Sequence, residues 1–436
     1  MKNLKQTTHP LRYAIGMFGT SIPINMFKTY AAIFYVDSLG ITTRQFSLVV
    51  FIYTFVDAID NPIYGFLSDR TRTRWGRRRP WLLIGAPLLA LCFISFFNVP
   101  GFLAGNSLFG YFLLMYILTG TLDSLVNANY GALFPELYKS DEKRAVTNAL
   151  RQAFQLVAMV ISIALTPLVT QSIGYSKTAL IYGILAVAVI CYCAVGCKEN
   201  PHPEELEKPR LLSTIRDLLT NPKFWVFGLT NAFYSAAMSL VMSAVPFFVK
   251  YTLQVGNSAT SILLGTVLLV AIIGVMVWAK LVKKFTLLPT WRGALIFMAL
   301  AFIPLYFANS LVMAIVFSSL VGFGIAGAMA TMDLIGAKIM DDDTARTGLR
   351  REGIYSSAMG FMNRLNGFFV SLAFLLIHAL YGFESGDVPG PNPGSAARFL
   401  LVIAPLVLMI LSCISSRFMN FKNMRQAPAE EEAAPE

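Results

Sequence analysis

The sequence predicts an all-α membrane protein of twelve transmembrane helices with both termini in the cytoplasm. Its 436 residues are 56% hydrophobic and only 14% charged, whereas charged residues make up about 25% of a typical soluble protein. Apolar stretches recur along the whole chain, each near the length of about 20 residues that a helix needs to cross a bilayer. These stretches are continuous rather than alternating, which excludes a membrane β-barrel. The placement of Lys and Arg around them is the third observation.

The apolar stretches are separated by turn signals such as Asn98-Val-Pro-Gly101 and Ser172-Ile-Gly174. The first apolar stretch follows a polar, basic start and is too long for the core of a signal peptide, so it is interpreted as the first helix. The predicted helices, α1 to α12, cover 13–37, 45–67, 81–99, 108–134, 144–170, 178–197, 223–250, 259–281, 291–308, 311–337, 351–381 and 397–418.

The positive charges fall mainly on one side of this arrangement. Four lie at outer ends (Arg44, Lys177, Lys250 and Arg398), three lie within helices (Lys28, Arg151 and Arg364), and the other 28 of the 35 Lys and Arg lie at the inner side. Lys and Arg are enriched in cytoplasmic loops. This asymmetry predicts an even number of helices and cytoplasmic termini.

The predicted helices divide into two groups of six. A six-helix bundle over 1–197 is followed by a charged, proline-containing cytoplasmic linker over 198–222, a second bundle over 223–418 and a disordered tail over 419–436. A faint internal repeat accompanies the division, since Gly131-Ala132 lies near the end of α4 and Gly336-Ala337 near the end of α10. Weak symmetry between two halves is typical of secondary transporters.

Several function classes are excluded by what the sequence lacks. The five cysteines and three histidines show no metal-ligand spacing, and no nucleotide-binding loop or nucleophile–base pattern appears. The net charge of +11 lies in short loops, so it is a topology signal rather than a nucleic-acid surface. We therefore expect that the protein is not an enzyme and that it has no cofactor and no nucleic-acid partner. We expect no metal beyond a Na⁺ ion whose movement is coupled to that of a solute. The expected partners are the lipid bilayer and a small-molecule solute, and the expected state is a monomer.

The segment between α2 and α3 carries six arginines and one aspartate within twelve residues. Such a cluster orients the protein in the membrane. It is also interpreted as a cytoplasmic gate, in which an acid at the end of α2 accepts from arginines in one state and releases them in the other. The residues of this predicted gate are Gly65, Asp69, Arg70, Arg77 and Arg78.

Acidic side chains within the predicted helices indicate an ion site. Asp57, Asp60 and Asn61 share one face of α2 because they are three and four residues apart. Asp123 and Ser124 on α4 lie at a similar depth by residue count. Charges within a membrane span are costly and mark functional positions, and a cluster of hard oxygens suits Na⁺, or H⁺ if one acid is protonated. The alternative is that these acids form structural ion pairs with Lys28 or Arg151.

Polar residues at helical spacing on five helices predict a central cavity for a solute. Amides and hydroxyls suit a hydroxylated ligand, although each amide could instead form an interhelical hydrogen bond. The cationic side chains favour an acidic substrate such as a hexuronide, while a neutral glycoside and a non-sugar solute stay open. The predicted substrate residues are Ser21, Asn25, Lys28, Asn127, Tyr130, Arg151, Gln155, Asn231, Tyr234, Asn363 and Arg364.

Two motifs of the first half carry a family resemblance. The run Asp57-Ala-Ile-Asp-Asn-Pro-Ile-Tyr-Gly65, followed by Arg74-Trp-Gly and Arg79-Pro-Trp81, resembles the glycoside-pentoside-hexuronide:cation symporters of the major facilitator superfamily. The resemblance implies the major facilitator fold and a coupling cation held by the acids of α2 and a hydroxyl of α4, which Ser124 matches.

The resemblance is incomplete at both predicted sites. A member of that family has Asn and then Asp where this chain has Asp60 and then Asn61, which leaves the choice of ion open. Arg151 matches an arginine of the family, and Arg364 takes the place of a lysine. Acids that contact sugar in that member are Ser21 and Asn127 here, so a galactoside held by paired carboxylates is not expected.

The prediction is therefore a multi-pass protein of the cell membrane (plasma or inner membrane). It is expected to couple Na⁺ or H⁺ to symport of a sugar, glycoside or hexuronide by alternating access. The alternative is a proton-coupled transporter or exporter of a non-sugar organic solute on the same fold.

Overall fold

The computed structural model describes residues 8–71, 73–138, 141–197, 221–256, 258–347 and 362–420. Within these ranges the chain forms the twelve predicted helices. In order they are α1 (Pro10–Ala14, Gly16–Ala32 and Ile33–Ser38), α2 (Thr43–Arg70), α3 (Arg79–Phe97), α4 (Asn106–Leu137), α5 (Asp141–Met159 and Val160–Ala164), α6 (Thr166–Gly196, broken at Gly174), α7 (Pro222–Phe247 and Phe248–Leu253), α8 (Ser258–Phe285), α9 (Leu287–Tyr306), α10 (Leu311–Thr347), α11 (Asn366–Tyr381) and α12 (Pro393–Arg398, Phe399–Ile403 and Ala404–Arg417).

Among the described residues, nine of these helices are long and apolar enough to cross a membrane by composition alone. The remaining three are α1, α2 and α5. All three carry predicted site residues: Lys28 lies on α1, Asp57 and Asp60 lie on α2, and Arg151 and Gln155 lie on α5. The apolar stretch of α5 is limited to Leu150–Ala164. Polar site residues thus lower the membrane signal of these three helices, although α4, α7 and α11 also carry polar side chains and still qualify as spans.

Several helices extend beyond their predicted ends. The helix α10 continues to Thr347, α4 to Leu137 and α2 to Arg70, while α5 begins at Asp141. Hydropathy marks the apolar part of a helix, whereas backbone hydrogen bonds continue into its polar ends, so the predicted ends were too short. At Gly174 (φ 81°) the backbone leaves the helical region, in agreement with the predicted turn there. The start of α11, almost all of the linker and the tail beyond residue 420 lie outside the described residues.

The two halves of the chain repeat two structural details. A π-helical segment ends α1 at Ile33–Ser38, and another ends α7 at Phe248–Leu253. Arg79, at the start of α3, donates to the backbone carbonyls of Ala194 (2.6 Å) and Val195 (3.0 Å) at the end of α6. Arg292, in the first turns of α9, donates in the same way to carbonyls at the end of α12. Each arginine satisfies carbonyls that have no partner within their own helix.

The halves contact each other closely at the side of the bundle opposite the chain termini. Asp37 at the end of α1 accepts from Lys250 Nζ of α7 (2.5 Å) and from the hydroxyl of Tyr251. Nearby, the Thr43 amide donates to the Glu384 carbonyl (2.6 Å). Other bonds between the halves at this side join Gly386 to Val36 and Ser371 to Ser47. These contacts hold the two halves together at this side, which the predicted topology places outside the cell.

Candidate ion and substrate site

Two glycines let the helices of the site approach each other. A Cβ at Gly120 of α4 would lie closer than 3.0 Å to the Tyr53 ring of α2, and a Cβ at Gly367 of α11 would lie equally close to Thr54 Oγ1. Contacts this short do not occur between real side chains, so a larger residue at either position would force Tyr53 or Thr54 to move. The two crossings place the middle of α2 against α4 of the same half and α11 of the other half.

Residues of the predicted ion site meet where α2 packs against α4. Asp57 Oδ1 accepts from Ser124 Oγ (3.1 Å) and from the Tyr53 hydroxyl (3.3 Å). Asp60 is 5% exposed and lies one turn further along α2. The structure thus brings together the acid and the hydroxyl that the sequence assigned to one site, and it adds Tyr53. The side chain of Asn61 lies outside the described part of the structure.

Arg364, at the start of α11, lies against the same acids. Its Nη1 is 3.0 Å from Asp57 Oδ1 and 3.3 Å from Asp60 Oδ1, and it also donates to the Asp57 backbone carbonyl. The side chain of Arg364 is 22% exposed. A cation predicted to contact the substrate therefore pairs with two acids predicted to hold the coupling ion. The sequence weighed Lys28 and Arg151 as counter-ions, whereas the structure shows Arg364 in this role.

Asp123 forms a second acidic position beside the first. It is 9% exposed, and its Oδ1 accepts from Asn127 Nδ2 at 2.7 Å. Its charged neighbours are Lys28, Asp57, Asp60 and Arg364. The Lys28 side chain is exposed, and it forms no ion pair with any residue that the structure describes. Lys28 thus places an exposed amine in the middle of α1, close to Asp123.

Arg151 and Tyr130 lie within the packed interior of the first half. The Arg151 guanidinium is 5.1 Å from the ring centre of Phe134 and 5.5 Å from that of Tyr130, a cation–π arrangement. Tyr130 is 2% exposed and stacks on Tyr13 at 4.6 Å. The two tyrosine hydroxyls each donate to the other residue's carbonyl (2.7 and 2.9 Å). Tyr130 is therefore engaged within this half rather than presented to a cavity.

The other predicted substrate residues occupy varied surroundings. Asn231 Nδ2 of α7 donates to Asn363 Oδ1, so this amide pair joins α7 to the start of α11. Tyr234 and Ser21 are buried, while Asn25 and Gln155 are partly buried. The amide pair matches the alternative that amides form interhelical hydrogen bonds.

The predicted cytoplasmic gate is described only in part. Arg78 is 7% exposed and donates to Ser68 Oγ near the end of α2. Arg77 is partly buried. The surroundings of Gly65 and the side chains of Asp69 and Arg70 lie outside the described residues. The described contact therefore fixes the loop to α2 of its own half.

Sequence reasoning did not identify the pairing at the outer side. Lys250 was predicted only as an outer positive charge, yet it forms an ion pair with Asp37 between α7 and α1. The internal repeat could have predicted this pair, because its two residues lie at equivalent ends of the first helix in each half. The roles of Gly120 and Gly367 could not be derived, since they depend on which helices cross.

Comparison with known proteins agrees with the fold. A family model described as MFS/sugar transport protein matches residues 12–423. The isoprimeverose transporter of Lactiplantibacillus pentosus is 24% identical over 96% of this chain and 89% of its own length. A putative sulfoquinovose importer of Salmonella typhimurium is 22% identical over 93% of this chain and 88% of its own length. Among solved structures, a mutant of the nucleoside transporter NupG matches with a TM-score of 0.72 at 9% identity, over 94% of this chain and 98% of that one. The chain is therefore a multi-pass membrane transporter that belongs to the MFS/sugar transport protein family, as the resemblance to glycoside-pentoside-hexuronide:cation symporters predicted.

Proposed function

We propose that this protein couples Na⁺ or H⁺ to the symport of an anionic, polyhydroxylated solute, such as a sugar acid or a sulfonated sugar. The proposal depends chiefly on one observation, the contact of Arg364 with Asp57 and Asp60 at mid-helix between the two halves of the chain. A charge cluster inside a membrane protein is costly to maintain and marks an ion or substrate pathway. Because its members come from both halves, its state changes whenever the halves move.

The oxygens around Asp57 fit a small hard cation. Asp57, Asp60 and Ser124 supply carboxylate and hydroxyl oxygens from two adjacent helices. In the described state the guanidinium of Arg364 lies against these oxygens. We infer that a coupling cation and Arg364 exchange at this position, so that binding of the cation releases Arg364 toward the cavity.

The proposed solute is anionic because of two cationic side chains. Lys28 is exposed beside Asp123 without an ion pair among the described residues, and Arg364 would be a second cation once released. A carboxylate or sulfonate that binds both would favour the released position of Arg364 and thus the binding of the cation. This reciprocal effect is what coupling requires. The name of one relative supports an anionic solute, since sulfoquinovose is a sugar that bears a sulfonate.

Alternating access would then proceed by opening the outer contacts and closing the inner side. The Asp37–Lys250 pair is the proposed outer lock, and the arginine-rich loop after α2, with Arg77 and Arg78, is the proposed inner gate. The protein is proposed to act as a monomer with cytoplasmic termini. The domain boundaries stated above for the two bundles, linker and tail are part of this proposal.

The function is tested by uptake into proteoliposomes that contain the purified protein. The panel comprises sulfoquinovose, glucuronate, isoprimeverose and glucose, each under a Na⁺ gradient, a H⁺ gradient or neither. We expect gradient-driven accumulation of an anionic member, and uptake that ignores both gradients would refute symport. Lys28→Gln should weaken uptake of the anionic solute at least tenfold, whereas Lys28→Arg should retain it. Preferred uptake of a neutral sugar, unaffected by Lys28→Gln, would refute the anionic assignment while leaving symport intact.

A further inference from the structure

A mostly apolar cavity lies between the halves, away from the acidic cluster. Its volume is about 250 Å³, and it is lined by α5 of the first half and by α7, α8 and α10 of the second half. Three of its lining side chains are methionines, Met159, Met238 and Met329, and one is polar, Gln152. The proposed function makes no use of this cavity.

The cavity and the acidic cluster lie at different contacts between the halves. The helices α2 and α11 pack together around Asp57 and Arg364, whereas the end of α5 packs on α8. A solute between the halves would therefore meet charge at one contact and apolar side chains at the other.

The faces of α5 and α7 change from polar to apolar in the same direction. On α5, Gln152 and Gln155 are followed on the same face by Met159, at intervals of three and four residues. On α7, Asn231 and Tyr234 are followed by Met238 at the same intervals. Residues at these intervals share a face of a helix. Gln152, Met159 and Met238 line the cavity, and Gln155 and Asn231 lie on the same helix faces as these residues.

The size and lining of the cavity suit a ring or a short alkyl chain. An apolar cavity of about 150 Å³ accommodates benzene, so the cavity volume of about 250 Å³ is sufficient for a phenyl group. Methionine side chains are flexible and polarizable, and they pack well against aromatic rings of different shapes. An unsubstituted sugar would gain little here, because its hydroxyls would lose hydrogen bonds to water.

We propose that this cavity receives the apolar aglycone of a transported glycoside, whose sugar binds beside Gln155 and Asn231. The inference rests on the proposed function, since it assigns one part of the same solute to a separate part of the cavity. The preferred substrates are then aryl or alkyl glycosides rather than free sugars.

Binding to the purified full-length protein tests the proposal. The probes are methyl and phenyl glycosides of the same sugars, β-D-glucuronide, β-D-glucoside and β-D-xyloside, measured by displacement or by thermal stabilisation. We expect the phenyl member of a pair to bind at least tenfold more tightly than the methyl member. Equal affinities within every pair, or no binding by any member of the panel, would overturn the proposal, whereas the proposed function fails separately if no solute of the uptake panel accumulates under either gradient.

Matched variants locate the effect in the cavity. Ala271, a lining residue, is 5% exposed, and Ala271→Leu should fill the cavity and abolish the phenyl preference while methyl glycosides bind as before. Ala279→Leu makes the same change on an exposed position of the same helix and should keep the preference. If Ala271→Leu does not fold, Met238→Ala provides the test, because a larger cavity should shift the preference from phenyl to naphthyl glycosides. The assignment is refuted if Ala271→Leu keeps the preference for phenyl over methyl glycosides, or if Met238→Ala still prefers phenyl over naphthyl glycosides. It is also refuted if added lipid displaces the phenyl glycosides, because an acyl chain would then be the occupant.

Discussion

Replacing Arg364 by glutamine should tighten binding of the coupling cation. Arg364 forms two charge-assisted contacts, at 3.0 Å with Asp57 and 3.3 Å with Asp60. Hydrogen bonds to charged groups contribute about 1.5–3 kcal/mol each. Because the side chain is 22% exposed, we take the low end for the pair together, about 1.5 kcal/mol. If the guanidinium competes with the cation, its removal should raise cation affinity by about tenfold, since about 1.4 kcal/mol corresponds to a factor of ten.

The assay is the Na⁺ dependence of thermal unfolding of the purified protein, because a ligand that binds only the native state stabilises it by RT ln(1 + [L]/Kd), so the onset of stabilisation reports the Kd. If Na⁺ has no effect on the wild type, proton uptake replaces it as the measured quantity. Arg151→Gln is the matched control: it removes the same group from a pocket of aromatic rings and should leave cation affinity unchanged. Cation affinity in Arg364→Gln that is unchanged or weaker would refute the exchange of Arg364 with the cation.

Three further changes test other parts of the structure. Asp57→Asn removes the acid that contacts Ser124 and Arg364, so gradient-driven accumulation should be lost at normal expression; accumulation at the wild-type level would exclude Asp57 from the ion site. Lys250→Gln weakens the outer lock by up to about 1 kcal/mol, as expected for a pair whose lysine side chain is 48% exposed, so the thiol of a Ser243→Cys variant should be labelled from outside about fivefold faster, and an unchanged rate would argue against the lock. Gly367→Ala should lower the melting temperature because the new Cβ would overlap with Thr54 Oγ1, and adding Thr54→Ala should restore it; additive losses would show that the two residues do not touch.

The sequence was sufficient for the fold because the membrane imposes a strong pattern. Long apolar stretches and asymmetric positive charge determined twelve helices without any knowledge of their packing. The ends of α4, α5 and α10 were misplaced, because apolar composition stops where the bilayer core stops and helical hydrogen bonding does not.

The ion site was partly predictable for a similar reason. Asp57 and Asp60 share a face of one helix, which is a property of local sequence; Ser124 followed from its depth beside Asp123 on α4, and the resemblance agreed with it. The pairing of Arg364 with these acids depends on the crossing of α2 and α11 at Gly367, about 300 residues apart in the chain, and local periodicity carries no information about it. The same limit applies to Tyr130, whose stripe predicted an exposed polar face but whose ring packs on Tyr13.

The most direct test of the account is the thermodynamic coupling between solute and cation. The affinity of the purified protein for the solute identified by uptake is measured with and without the coupling cation, and the cation affinity is measured with and without the solute. We predict that each ligand tightens the other by the same factor, at least about fivefold, and that Arg364→Gln abolishes this effect. Equal solute affinity with and without the cation would contradict the exchange at Asp57 and Asp60 on which the proposed symport depends.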